Sequence, residues 1–340
     1  MHMADALLSP VVGVSMCAVS AAAIAYSVKK IKEDELCEKK IPVMGVMGAF
    51  VFAAQMINFS IPATGSSGHI GGGILLAAMI GSFPALLSVS AVLVIQSLFF
   101  ADGGLLAIGC NIFNLGVIPC LLMYPLIFKP IIKKYYTFAG ITLASITAAV
   151  AGLQLGSFGV VIQTQLSGIT ELPFAAFLLV MQPIHLAIGI AEGIITAAIL
   201  CFVRKMRPEI MESVFERTAI ASGVPIKNIL IIFAVTAILA GGILSLFVSS
   251  NPDGLEWSIS KTAGETELSA HGSAAEAAAL IQEATAFMPD YNFKTDKEGS
   301  FKNGITAAGI AGSAIVFLIA AAAAFVISAV KKKRKKVSDL

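Results

Sequence analysis

The chain has 340 residues, of which 57% are hydrophobic and 13% charged, and its formal net charge is +2. A soluble domain carries roughly a quarter charged residues, so lipid is the solvent for most of this chain and its length gives no domain count. No GxxxxGK[ST], HExxH or GxSxG occurs, which excludes a P-loop ATPase and argues against a membrane protease.

Residues 1–10, MHMADALLSP, contain Asp5 but no Lys or Arg. The basic start of a secretory signal is missing, and Met1 is expected to stay as the first residue because His2 is large for removal of an initiator Met. Three nitrogens of Met1-His2 can close on one ion: the terminal amine, the deprotonated His2 amide and the imidazole Nδ1. Such a planar set suits Ni²⁺ or Cu²⁺, and low-spin Co²⁺ can accept it. The bland alternative is a frayed terminus. Asp5 could accept a hydrogen bond from the His2 ring, a common support for a metal ligand, or simply mark the entry to a helix.

Apolar windows near the ~20 residues that cross a bilayer predict spans at 9–28, 41–59, 69–82, 84–100, 108–128, 137–156, 173–203, 226–249 and 305–330. In the first, Ala18 and Ala22, like Ala21 and Ala25, are spaced for close helix packing, within the chain or against a partner. All but four of the 23 Lys and Arg follow the first, fifth, seventh and ninth spans; the others, Lys261, Lys294, Lys297 and Lys302, lie in one hydrophilic segment at 250–304. The loops near 60–68, 101–107 and 157–172 have none. Nine spans with the N-terminus outside satisfy the positive-inside rule.

The stretch ATGSSGHIGGG places His69 at the outer end of the third span, on the side of the N-terminus. Its glycines let another segment approach the backbone, so His69 is the candidate fourth ligand, or else a hydrogen-bonded histidine at a helix end. Asn58, Gln96, Asn111 and Asn114 read as interhelical hydrogen-bonding groups, and Asp102 as a residue that shapes an external turn. The seventh span is one tilted helix or two pieces broken at Pro183. In it, His185 and Glu192 stand seven residues apart on nearly one face. A buried Glu needs a partner, so the two form either a pair that orients the metal loop or a packing hydrogen bond.

A cytoplasmic linker at 206–225 contains the breakers Pro208, Gly223 and Pro225. Asn251-Pro252-Asp253-Gly254 has the chemistry of a turn after a span. His271 reads as a surface residue, the five cysteines as buried small hydrophobes, and the terminal KKKRKK as an anchor to anionic lipid rather than to nucleic acid.

MHMADALLSP, INFSIPATGSSGHIGGG, LFFADGGLLAIGCNIFNLG and HLAIGIAEGIIT each resemble the CbiM/NikM family, the substrate-capture subunits of energy-coupling-factor importers for cobalt and nickel. The resemblance covers residues 1–205, and 226–330 looks like the two-span CbiN/NikN companion with PDGLE at Pro252–Glu256. It implies an all-α polytopic fold: a seven-helix bundle plus two transmembrane helices flanking the external segment 250–304, with a basic tail at 331–340. It also implies Co²⁺ or Ni²⁺ as substrate, held by Met1, His2 and His69, and no cofactor. Asp5, Asn58, His185 and Glu192 would be supporting or pathway residues. The implied partners are a transmembrane coupling subunit and two cytosolic ATPases, in a prokaryotic cell membrane, with the C-terminus inside. Where the family usually reads MHxxDG, Ala6 replaces the glycine. An ion-coupled secondary transporter or channel using His185 and Glu192 is the alternative, and an intramembrane enzyme a remote third.

Overall fold

The computed structural model describes residues 1–33, 37–216, 248–266, 268–270, 272–294 and 304–319, with isolated positions among 231–239 and at 322. Most of the eighth span, the end of the ninth, His271 and the basic tail lie outside the described residues. Except for one two-stranded hairpin, the regular elements described are helical. This is an all-α polytopic membrane protein.

Seven helices build the bundle: α1 (Pro10–Glu33), α2 (Cys37–Gln55), α3 (Gly73–Ile80), α4 (Ser82–Phe100), α5 (Ile108–Lys134), α6 (Phe138–Ser167) and α7 (Phe174–Met206). Of these, α1, α4, α5, α6 and α7 are long and apolar enough to cross a membrane; α2 has a shorter apolar part, Val43–Gln55. The third span shrinks to eight residues because Gly71 and Gly72 belong to a loop, and every residue of α3 is buried.

Polar residues lengthen one helix that hydropathy alone cuts short and tie it to its neighbours. The expected loop at 157–172 is mostly helix, since α6 continues to Ser167 and stops at Gly168, whose φ is +63°. Gln163 pays no desolvation cost there: it exchanges two hydrogen bonds with Asn114 of α5, at 2.8 and 3.2 Å. Pro183 does not break α7. Beside it, Gln182 Nε2 donates to Ser157 Oγ at 3.0 Å and Gln154 Nε2 donates to the Gln182 carbonyl at 2.8 Å, tying α6 to α7. Within α5, Phe113–Phe128 takes the wider π-helical turn around Pro119 and Pro125, whose missing donors interrupt an α-helical ladder.

The hairpin joins α2 to α3: β1 (Phe59–Ile61) runs antiparallel to β2 (Ser66–Gly68), with Phe59 opposite Gly68. After α7, Pro208 opens the short α8 (Pro208–Glu216), which packs near α3 and α7. The segment expected to be external contains α9 (Gly254–Ala263), α10 (Ser273–Thr285) and a 3₁₀ turn at Pro289–Tyr291, before the apolar α11 (Gly304–Ile319). Asn251–Gly254 is not a free turn. Asp253 caps α9, accepting from the Leu255 and Glu256 amides while the Glu256 carboxylate accepts from the Asp253 amide, a reciprocal capping box.

Candidate metal centre

Residues 1–8 form a hook that enters the bundle from one end. Met3, Leu7 and Leu8 are fully buried, each contributing about 1.5–3 kcal/mol. Ordering the backbone costs about 1–2 kcal/mol per residue, of the same order as this burial, and polar anchors add to the hold. Asn111 supplies two of them, accepting from the Met3 amide at 2.7 Å and donating to the Met3 carbonyl at 3.1 Å. Asp5 supplies another: its Oδ1 accepts from the Ala107 amide at 2.9 Å. It is therefore not the acceptor for His2. Ala6 sits buried in the 3₁₀ turn Asp5–Leu7 and is not among the residues with positive φ, so the bend does not require the family's glycine.

The hook carries its first two residues to His69. The His2 and His69 rings lie face to face, with centroids 5.3 Å apart and planes 9° from parallel. The glycine loop that presents His69 is clamped from two sides. Glu192 of α7 accepts from the Gly71 and Gly72 amides at 2.9 and 3.0 Å, and Gln55 of α2 donates to the Gly71 carbonyl at 3.0 Å. Gln55 is itself held by Gln96 of α4 at 2.9 Å. Gly72 has φ +76°, and a Cβ there would press within 2.6 Å of Val51, so no other residue fits. Burial, with the Met1 amine and His2 close by, pulls the His69 ring down to about 4. The ring is neutral at pH 7 and keeps a lone pair to give.

Two carboxylates that sequence reasoning assigned to turns complete the constellation. Asp102 Oδ1 lies 3.0 Å from His2 Nδ1, while its other oxygen accepts from the Tyr291 hydroxyl. Burial alone would raise the Asp102 carboxyl, but His2 and the Tyr291 hydroxyl hold it down at about 2. Asp253 Oδ2 lies 2.5 Å from the Met1 amine, and the amine and the helix cap hold its carboxyl well below the usual range despite burial. Tyr291 and Asp253 both come from the segment after residue 247, so two parts of the chain meet here. The hairpin strengthens that junction: Ser67 N donates to the Pro252 carbonyl at 2.8 Å and Trp257 Nε1 to the Thr64 carbonyl at 3.0 Å. Only spatial proximity could have revealed Asp102 and Asp253; nothing in their spacing along the chain does.

The remaining expected residues divide. Asn58 lines a cavity of about 270 Å³ together with His2, His69, Asp102, Asp253 and Glu256, and its backbone carbonyl accepts from Ser249 at 2.9 Å. His185 and Glu192 do not pair with each other. His185 Nδ1 bonds the Met181 carbonyl at 2.8 Å, one turn back on its own helix, whereas Glu192 serves the glycine loop. Gln96 and Asn114 bridge helices as expected; Asn111 instead holds the hook.

Residues 2–210 match the family model CbiM, described as the cobalt uptake substrate-specific transmembrane region, and residues 227–329 match the PDGLE domain. The chain is 31% identical over 229 residues to the fused nickel transport protein NikMN of Rhodobacter capsulatus, covering 62% of this chain and 64% of that one. It is 28% identical over 171 residues to the cobalt transport protein CbiM of Sorangium cellulosum, covering 50% of this chain and 76% of that one. A crystal structure of a transition metal transporter superposes with a TM-score of 0.54 at 26% identity, over 63% of this chain and 98% of that one.

Proposed function

Because this chain belongs to the CbiM family of cobalt and nickel transport membrane proteins, we propose that it is the metal-capturing subunit of an ATP-driven importer. The observation that carries the reading is the delivery of Met1 and His2, by a buried hook, to a face-to-face approach with His69. The cation would take the terminal amine, the His2 amide nitrogen, His2 Nδ1 and a His69 ring nitrogen. An imidazole nitrogen has one lone pair in its plane, so a metal on His2 Nδ1 must displace Asp102. A metal-bound amine keeps two N–H groups, so Asp253 can remain its acceptor. Asp253 thus holds the amine in place, Asp102 orients the His2 ring until the ion enters, and both carboxylates offset its charge.

Residues 1–205 would form the capture unit, 206–225 a cytoplasmic linker, 226–330 the companion unit, and 331–340 a basic tail facing the cytoplasm. The N-terminus and the metal cavity would face outside, in a prokaryotic cell membrane. Hydrolysis of ATP would fall to two cytosolic partner subunits acting through a transmembrane coupling subunit, since this sequence has no phosphate-cradling loop.

The test is metal titration of the purified, untagged protein beside a form with residues added before Met1. The added residues convert the amine into an amide, and Co²⁺ and Ni²⁺ binding should be lost, as it should in His2→Ala and His69→Ala. Undiminished binding in the extended form would sink the amine ligand. Acidification should weaken binding, because protons compete for the same nitrogens.

A further inference from the structure

The cavity that His2 and His69 share with the segment after residue 247 is larger than a bare ion needs. It holds about 270 Å³, whereas six water molecules fill about 180 Å³ at about 30 Å³ each. Its rim residues Ser250, Asn251 and Asp290 are exposed, while Gln55 and Gln96 line it as buried side chains. One continuous space thus joins an exposed rim to the two imidazoles.

The lining suits a cation. Asp102, Asp253, Glu256 and Asp290 belong to it, and no Lys or Arg does. Asp102 and Asp253 are already turned to His2 and to the Met1 amine. Glu256 instead accepts from a neutral group, the Asp253 amide, and burial together with the Asp253 charge pushes its carboxyl up. Negative charge is therefore in excess beside it.

A second observation comes from the buried wall. Gln55 Nε2 donates to the Gly71 carbonyl at 3.0 Å, which leaves Gln55 Oε1 to accept from Gln96 Nε2 at 2.9 Å. This relay fixes the Gln96 amide with its oxygen left over. Gln96 is 0% exposed and its Oε1 has no hydrogen-bond partner, a costly state unless a donor reaches it. An aquo ion is such a donor, because its waters point lone pairs at the metal and hydrogens outward. Among the described residues no three His, Cys, Asp or Glu side chains are grouped to hold a bare ion, so an ion in this space keeps its shell.

We propose that the cavity is an antechamber for a hydrated divalent cation, held through its water shell by Glu256 and Gln96 Oε1 before the ion passes to the chelate. The proposal rests on the capture reading above. A cleft lined by one sign of charge concentrates its counter-ion, so the antechamber acts on the rate of loading, and the final hold stays with the planar nitrogens.

The probe is hexaamminecobalt(III), whose ammonia ligands do not exchange. It presents N–H donors outward as an aquo ion presents O–H, and it cannot give its metal to Met1, His2 or His69. The full-length, untagged protein and Glu256→Gln are titrated with it by calorimetry in a neutral detergent. Glutamine keeps the capping acceptor and removes the charge. The wild type should bind a single equivalent and the variant should bind about 10-fold more weakly, the scale of one charge-assisted hydrogen bond. In stopped-flow absorption the probe should slow the entry of Ni²⁺ into the chelate yet release none from preloaded protein. No binding, equal binding by the variant, or an unchanged loading rate overturns the proposal; should the variant not fold, the wild-type loading rate decides it. Failure of the chelate itself reads differently: Ni²⁺ retained by protein extended before Met1 would remove the planar set, whatever the probe does.

Discussion

His2 has two carboxylates within reach by different measures: Asp5 is three residues away in sequence, and Asp102 is brought to it by the fold. The nearer one is unavailable because it secures the Ala107 amide. Asp102 takes the ring instead, and its ionised form is favoured by that contact, with its carboxyl held at about 2 against an ordinary 3.8. A carboxyl whose value is lowered by folding adds stability above its ordinary value and loses it as pH falls through the folded one. Asp102→Asn should therefore lower the thermal midpoint near neutral pH, and the gap from wild type should narrow as pH drops from about 4 toward 2. Calorimetry in detergent across that range checks it, and a constant gap would contradict the ion pair. The approach of His2 to His69 could be anticipated from the sequence, because a histidine at a chain terminus and a histidine among glycines are local patterns. Asp102 and Asp253 could not, because each acquires its partner only through contact with a distant segment.

Among the elements, the glycine loop depends on α7. Glu192 offers two oxygens to two adjacent amides, an arrangement that a carboxamide cannot match, because its nitrogen would face a donor. Glu192→Gln should strand one buried amide and let the His69 loop shift. Metal affinity should fall by about 10-fold to 100-fold while the helical content stays unchanged by circular dichroism; full affinity in the variant would show that the clamp is unnecessary for binding. The secondary-structure pattern was legible in kind but not in extent. Helix α6 runs past the expected end because Ser157 and Gln163 are satisfied by α7 and α5, whereas a hydropathy window counts them as loop-forming. The α3 segment errs the opposite way: its expected start is a loop whose amides bind Glu192. The alanine pairs of α1 were expected to pack within the chain or on a partner, and Ala18, Ala21, Ala22 and Ala25 are all exposed on the described structure.

On the scale of the molecule, the N-terminal hook and the segment after residue 247 converge on one cavity. Asp253 reaches the hook directly, Tyr291 reaches it through Asp102, and Gln282 of α10 donates to the Gly103 carbonyl at 2.9 Å beside it. On the proposed topology this cavity faces outside and the cationic ends of α5 and α7 face inside. Ser60→Cys, on the exposed edge of the hairpin, should be labelled in intact cells by a membrane-impermeant maleimide above the native-cysteine background. Lys205→Cys should be labelled only after lysis; the reverse pattern would invert the topology. The Met1–Asp253 contact also reaches back into biosynthesis. In cells that initiate with N-formylmethionine, a newly made chain ends in a neutral formamide that cannot answer the Asp253 charge. Removal of the formyl group would then be a maturation step for the transporter, and a deformylase inhibitor would leave copies in the membrane that cannot load cargo.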